Sequence, residues 1–406
     1  MALMPVEEAL ARLLASAEPL AAERVALWDA AGRVLAEPVI ARRTTPGADV
    51  SAMDGYALRA GDAARAPATL RLIGESAAGR PYPGRIEPGT TVRIFTGGVL
   101  PEGADAVVIQ EDTRRDGDVV TMTEAATVGR HIRKAGGDFM QGEAVLPAGH
   151  RLRPRDLALA ASADVAELAV TRRPRVALLS TGDELVRPGA GAAAHQVILS
   201  NIYSVGGLAR AAGAEVVDLG ILPDDMAATQ AGVRAALAGG FDIIVTTGGA
   251  SVGDHDLVAP ALMAQGVALA VHKIALRPGK PLMFGQLTGT GTRVLGLPGN
   301  PVSAHVCALV YLVPLIKALQ GLDVPAKVAL RPAILGADVK ANETRMDFQR
   351  AGIVGHEGGL PVVRPAPAQD SSMLAILARA DVLLVRPPHA PAAKAGEPCE
   401  ILPLED

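Results

Sequence analysis

The sequence predicts a multidomain chain of the α/β plus β class. It has a central, mostly parallel α/β sheet domain with helices on both faces, an inserted small β domain, a helical N-terminal region and a C-terminal β domain. Three observations predict this. The 406 residues correspond to two to four domains at roughly 100–200 residues each. Between Val176 and Leu319, short β-branched or apolar runs alternate with longer stretches of helical period, the pattern of a parallel sheet covered on both sides. From Arg42 to His150, and again beyond Pro325, the runs stay short and Gly and Pro punctuate them, which is all-β grammar.

In chain order, Val6 to Leu35 reads as helical, with Leu10, Leu13 and Leu14 on one face and Leu27 and Val34 continuing the pattern. The β insert follows, with runs at Thr69–Ile73, Thr91–Phe95, Ala106–Ile109 and Val119–Thr123. Turns at Pro83-Gly84, Pro88-Gly89 and Asp116-Gly117 point to hairpins and a small barrel or sandwich. Asp156–Val165 returns to helical spacing and is expected to pack with the N-terminal helix, which makes the β unit an insertion. The α/β unit then runs strand Val176–Leu179, helix Ile202–Ala212, strand Glu215–Ile221, helix Met226–Leu237, strand Ile243–Thr247 and helix Leu257–Met263. β runs at Ala268–Leu276, Pro281–Gln286 and Arg293–Leu297 precede a long helix from Val302 to Leu319. The last unit carries β runs at Val328–Leu335, Phe348–Val354, Val382–Val385 and Pro398–Leu402. The expected division is 1–41 with 140–172, then 42–139, 173–322 and 323–406.

Composition narrows the function. With Lys+Arg 39 against Asp+Glu 43 and no basic run interleaved with aromatics, nucleic acid is not an expected partner. Aromatics are 2% of the chain, so Val, Leu, Ile and Ala must fill the cores. Cys307 and Cys399 give neither a disulfide framework nor zinc spacing. Glu7 and Glu8 stand where a signal peptide would be basic, and the apolar stretch Val306–Ile316 is short for a bilayer and contains Pro314. A soluble cytoplasmic protein without a membrane partner is expected. The Walker lysine loop and the dinucleotide fingerprint are missing from the sequence.

The chemistry is expected at strand ends. Ile243–Thr247 stops at Gly248-Gly249, and Ser251, Gly253, Asp254 and Asp256 precede a helix. Glycines let backbone N–H groups approach an anion, and a helix start adds positive potential. Asp254 beside a phosphate makes sense if a divalent cation lies between them; otherwise Asp254 or Asp256 caps the helix. Other strand ends carry Thr181-Gly182-Asp183-Glu184, Ser200-Asn201, Asp224-Asp225 and Pro298-Gly299-Asn300. Each alone reads equally as a cap or turn. Together they would line one sheet edge, where open α/β sheets bind ligands. Lys273, Arg277 and Lys280 gather at the Pro278-Gly279 turn and suit oxyanions, phosphate or a tetrahedral metal oxyanion; the alternative is a solvated basic turn. In the β insert, Asp54 within Ser51–Ala57, Thr96 before Gly97-Gly98, and Asp138 after Gly136-Gly137 stand on Gly-rich loops. His131 and His255 lack a second ligand at metal spacing and read as loop histidines.

Taken together, SAMDGYA, FTGG with PEGADAVV, RKAGGD, STGDEL, SN, DLGILPDD, TTGGASVGDHD, RPGKP and LPGNPVS resemble the molybdopterin molybdenumtransferase family (MoeA, and the E domain of gephyrin). The α/β unit alone is also similar to the molybdopterin adenylyltransferases, which lack the SAMDGYA region and the C-terminal β domain. The resemblance implies that adenylylated molybdopterin and molybdate are substrates and that Mg²⁺ supports formation of molybdenum cofactor and AMP. It also implies a homodimer whose cleft is shared between the α/β unit of one subunit and the β insert of the other, with molybdoenzymes or other cofactor-biosynthesis proteins as further partners.

Carried over by residue, Asp224 and Asp254 take the cation and phosphate region, and Glu184 the reaction centre. Lys273, Arg277 and Lys280 hold molybdate and phosphate. Gly248, Gly249, Ser251 and Gly253 cradle the pterin phosphate, with Thr181, Gly182, Asp183, Ser200, Asn201, Pro298, Gly299 and Asn300 completing the binding loops. Asp54, Thr96 and Asp138 act from the insert, and Arg350 and Ser371 match family positions in the last domain. Two residues depart from the family pattern. Arg277 stands where members often carry Lys, and Asp370 where Gly usually precedes the serine. Adenylyl transfer from ATP and a non-catalytic scaffold are the alternative readings.

Overall fold

The apolar strands of the α/β unit alternate with period two, and that alternation sorts them onto two faces. Val176, Leu178, Ile243, Val245, Leu295 and Leu297 enter one core, while Ala177, Leu179, Ile244 and Val294 enter another. A strand buried on both sides reads as a near-continuous apolar run, and all five residues of Ile243–Thr247 are buried, its two threonines included. In the computed structural model of the protein, the described residues are 3–248 and 257–404, the side chains of Val271 and His272 excepted. They form two units by contact, residues 1–23 with 171–406, and residues 24–170.

The first unit contains a six-stranded mixed sheet in the order Glu215–Leu222, Arg175–Thr181, Ile243–Thr247, Arg293–Leu297, Pro281–Leu287, Val267–Lys273. The first four strands run parallel; the last two are antiparallel to their neighbours. Helices Asn201–Ala211 and Pro301–Leu319 fill the first face through Ile202, Val205, Val306 and Leu315. Met226–Ala238 and Val258–Ala264 fill the second through Val233, Ala236, Ala261 and Leu262. Every such buried Val or Leu contributes about 1.5–3 kcal/mol.

The long helix is 19 residues and apolar enough to cross a membrane by length and composition, longer than the stretch singled out in the sequence, but 67% of it is buried in the protein. It widens to π geometry over Ala308–Leu312, just before Pro314. Proline lacks an N–H and its ring clashes with the carbonyl four residues back, here Val310, so a local widening keeps the helix continuous.

The C-terminal strands close a barrel. Met346–Glu357, Leu360–Pro365, Arg331–Leu335, Pro398–Pro403 and Val382–Arg386 pair in that order, and Val382–Arg386 pairs back onto Met346–Glu357. A short strand, Leu276–Arg277, leaves the α/β sheet and pairs in parallel with the barrel strand, setting Arg277 opposite Asp347.

The N-terminal region departs from the expected helix. Helicity stops at Leu14; Ala22–Ala26 is a strand paired with Glu167–Thr171, and Leu27–Asp29 is one 3₁₀ turn. Pro19 cannot continue a helix, and Gly32 holds a φ of +73°, so the later leucine spacing is coincidental. Val6–Leu14 packs its buried Val6, Ala9, Leu10 and Leu13 into the α/β core. The helix Pro154–Ser162 instead finds Leu35, Val39, Leu146, Leu168 and Val170, so the expected partnership of the two helices is replaced by two separate cores.

In the second unit, a six-stranded sheet runs Ala106–Ile109, Gly55–Leu58, Thr90–Ile94, Ala68–Ser76, Val119–Met122, Thr113–Asp116. Asp116-Gly117 makes the hairpin turn its sequence demands, with Gly117 at φ +60°. At the start of Pro154–Ser162, the nearly buried Asp156 carboxylate accepts from the Arg153 backbone N–H at 2.7 Å, Arg153 Nε at 2.9 Å and His150 Nε2 at 2.8 Å. The Arg153 bonds, followed by His150, hold its pKa far below the ordinary value of 3.8. A depressed carboxylate contributes stability that is complete above its unfolded pKa and lost as pH falls through the folded one. Unfolding midpoints measured from pH 6 downward should therefore drop below about pH 4 more steeply in the unmodified protein than in Asp156→Asn, which starts less stable.

Candidate active site

Strand order reverses about Arg175–Thr181, whose neighbours are Glu215–Leu222 on one side and Ile243–Thr247 on the other. Connections leave in opposite directions there, so the carboxyl ends of the strands open a crevice. Ser180 Oγ and Thr247 Oγ1, 2.9 Å apart and buried, tie the two strand ends together. Beyond them the chain needs glycine. Gly248 has φ +91°, and a Cβ there would lie 2.9 Å from Thr181 O and 3.0 Å from Thr181 Oγ1. Gly182 has φ +141°, and its Cβ would lie 2.5 Å from a carboxylate oxygen of Glu184.

These loops border a cleft of about 1290 Å³. Thr181, Glu184, Ser200, Asn201, Gly248, Arg277, Lys280, Pro298, Gly299 and Asn300 all line it, so the structure brings together most of the expected loops. Helices Asn201–Ala211 and Pro301–Leu319 both begin at its wall. The caps Ser200 and Asn300 make no side-chain capping bond, which leaves their polar groups for the cleft. Asp225 does cap, accepting from Ala228 N–H at 2.8 Å. Asn201 Nδ2 donates to Gly299 O at 2.8 Å, joining two of the loops.

One wall is basic. Arg277 lines the cleft while its guanidinium donates to Asp347; that contact raises its pKa above the usual value. Lys280 and Arg345 line the same wall. Lys273, at the end of the strand leading into this turn, is not among the lining residues. The barrel supplies Gln369, Asp370, Ser371 and Ser372. Ser371 O accepts from Val302 N–H at 3.0 Å in the first turn of the long helix. Arg350 is fully buried and donates to Asp370 O at 3.0 Å and Ala368 O at 3.3 Å. It therefore braces the loop rather than facing the cleft.

Arg345, Gln369 and Ser372 were not singled out in the sequence. They come from the segment leading into a barrel strand and from a barrel loop that only folding brings to the α/β sheet, and Arg345 looks like any surface arginine in its own neighbourhood.

A smaller lobe of about 180 Å³, lined by Thr181, Gly182, Glu184, Asp224, Thr229 and Gly248, adjoins the cleft. Asp183 and Asp224 hold their two loops together reciprocally. Asp224 N–H donates to Asp183 Oδ1 at 3.1 Å, and Asp183 N–H to Asp224 Oδ2 at 3.4 Å. Among the described residues no group of three or more His, Cys, Asp or Glu gathers as a metal cage. Mg²⁺ needs less, since it commonly binds one or two carboxylates and completes its shell with phosphate oxygens and water. Asp224, which lines this lobe, supplies one such carboxylate. Gly249, Ser251, Gly253 and Asp254, with His255 and Asp256, lie outside the described residues.

In the second unit, Asp54 Oδ1 accepts from Thr96 N–H at 2.7 Å and Thr96 Oγ1 at 2.8 Å. These bonds, helped by Arg93, hold the Asp54 carboxyl below the usual range. The Arg93 guanidinium itself lies 5.1 Å and 4.8 Å from the ring centres of Tyr56 and Phe95. One Asp54 oxygen is thereby fixed in place. Asp138 is exposed on its own loop, and its N–H donates to Thr45 O at 3.1 Å. His131 adopts φ +60° in a loop, as an ordinary turn residue.

A cleft with a basic wall and an acidic lobe, set at the switch point of a mixed α/β sheet and closed by a β-barrel loop, defines a protein that handles a polyanionic small molecule. Three family models match the chain: the MoeA N-terminal region (domain I and II) over residues 4–163, a probable molybdopterin binding domain over 177–318 and the MoeA C-terminal region (domain IV) over 332–404. The molybdopterin molybdenumtransferase of Haemophilus influenzae is 36% identical over 387 residues, covering 95% of both chains. Molybdopterin molybdenumtransferase 2 of Mycobacterium tuberculosis is 36% identical over 389 residues, covering 94% of both. The crystal structure of the molybdopterin biosynthesis MoeA protein from Pyrococcus horikoshii OT3 superposes with a TM-score of 0.83 at 28% identity, over 98% of this chain and 99% of that one. The chain belongs to the molybdopterin molybdenumtransferase family.

Proposed function

We propose that this protein is a transferase of molybdenum cofactor biosynthesis, inserting molybdate into adenylylated molybdopterin with Mg²⁺-dependent release of AMP. The observation that carries the reading is the pairing of a basic wall with an acidic lobe around one cleft at the switch point. Molybdate is a tetrahedral dianion and the adenylyl linkage is anionic. Bringing them together requires fixed positive groups for both and a carboxylate set that tolerates a cation between them.

In this reading Lys280, Arg277 and Arg345 hold the oxyanions, with Lys273 adding charge from the strand end. The Gly248 turn and the starts of the two helices present backbone N–H groups to the terminal phosphate. Glu184, at the border of both lobes, holds the reacting groups in line. Asp224 and Asp254 would hold Mg²⁺, which neutralises charge on the phosphoryl oxygens when bound. Asp54, Thr96 and Asp138 complete the site from the partner subunit of a cytoplasmic homodimer. The family resemblance supports that assembly, and the fixed Asp54–Thr96 pair supports a ligand-facing role for it.

The deciding measurement is AMP release from adenylylated molybdopterin on adding molybdate and Mg²⁺. Release that needs both, and that EDTA abolishes, is the expected result. No release from the unmutated protein would overturn the proposal, and pyrophosphate formed from ATP without molybdate would mark adenylyl transfer instead.

A further inference from the structure

Arg277 is the residue whose role the sequence leaves open, because a planar guanidinium stands where relatives often carry a flexible lysine. The structure shows what the fork does. The parallel pairing of Leu276–Arg277 with the barrel strand places Arg277 opposite Asp347, and Met346 N–H donates to Ala275 O at 2.8 Å to fix that register. Asp347 is 4% exposed. Its Oδ2 accepts from Arg277 and from Gln349 Nε2, the latter at 2.8 Å. The Arg277 side chain stays 40% exposed and lines the cleft. A buried carboxylate is costly unless a charge and hydrogen bonds compensate it. One Nη of Arg277 supplies that compensation, and the side chain still reaches the cleft wall.

We propose that Asp347 is a positioning residue for the transfer reaction: it holds the Arg277 guanidinium in one orientation at the cleft wall and partly offsets its charge. This rests on the reading of the cleft as the oxyanion site. Two consequences oppose each other. Without Asp347, Arg277 carries an unshielded charge and attracts molybdate more strongly. It also regains the rotamer freedom of a long side chain, so the bound oxyanion is no longer held for reaction. An ion pair that merely joined barrel to sheet would lower the amount of folded enzyme and leave the KM for molybdate alone.

The test uses Asp347→Asn, Arg277→Ala and their combination in the full-length protein. In Asp347→Asn, kcat for AMP release should fall about tenfold while the KM for molybdate falls about two- to fivefold. In the Arg277→Ala background the same substitution should change neither, because its effect passes through Arg277. Calorimetric titration with molybdate alone, which needs no turnover, should show the same tighter binding in Asp347→Asn and the same loss of effect without Arg277. Gln349→Ala, which leaves the ion pair in place, controls for packing around Asp347 and should keep KM unchanged. An unaltered molybdate affinity in Asp347→Asn, or an effect that persists undiminished in the double variant, would overturn the proposal. If the unmutated protein releases no AMP, the function reading fails, and the titrations alone then decide the role of Asp347.

Discussion

Gly182→Ala is expected to lower molybdate-dependent AMP release by about a hundredfold or more with a fall of only a few degrees in the unfolding midpoint. The position has φ +141°, where an L side chain is strained, and the added Cβ would lie 2.5 Å and 2.8 Å from the two carboxylate oxygens of Glu184. The backbone strain alone is about 1–3 kcal/mol, but the collision matters more. Glu184 lines both lobes of the site, so turning it away removes the carboxylate at their junction. Gly182 also sits in the loop that Asp183 and Asp224 hold together, and a shift there moves Asp224 as well. Steady-state AMP release alongside thermal unfolding checks this. Near-normal turnover would show that Glu184 is not needed where the structure places it.

Arg350→Met should cost about 2–3 kcal/mol of stability, since the Ala368 and Asp370 carbonyls lose a charged donor while the aliphatic volume is kept. Burial lowers the Arg350 pKa, and the charges of Asp347 and Asp370 work against that shift. The two carboxylates thus offset part of what burial costs the guanidinium. Its loss should also loosen the loop that carries Gln369–Ser372 along the cleft, raising the KM for molybdate. Urea unfolding and limited proteolysis between residues 366 and 373 report the two effects separately. A large loss of kcat at unchanged stability would instead assign Arg350 to the ligand, in keeping with its match to a family position.

Local pattern carried much of the architecture. The strand Arg293–Leu297 and the strand Ile243–Thr247 have the limits that their apolar runs and the Gly and Pro beyond them dictate, because a parallel strand covered on both faces reads as a near-continuous apolar run. The helix expected through Leu35 failed for the converse reason. Spacing between leucines cannot distinguish a helix from an extended segment that happens to bury the same residues, and Ala22–Ala26 takes its hydrogen bonds from a partner strand more than a hundred residues away. Sequence alone leaves Ser200, Asn300 and Asp225 as either caps or ligand groups, and only the fold separates them. All three residue types cap well, yet only Asp225 among them spends its side chain on a cap.

By itself the sequence determined that strands and helices would alternate around a parallel core, that glycines would sit where the backbone turns beside carboxylates, and that family motifs run through nearly the whole chain. Those features depend on neighbours within a few residues, where sterics and side-chain period act directly. Only the tertiary structure decided that Arg345 and the Gln369–Ser372 loop join the cleft, that Arg350 braces that loop from behind, and that Arg277 shares its guanidinium with Asp347. Such contacts join residues 18 to 70 positions apart, and their energy exists only once the barrel has closed against the short strand that leaves the α/β sheet.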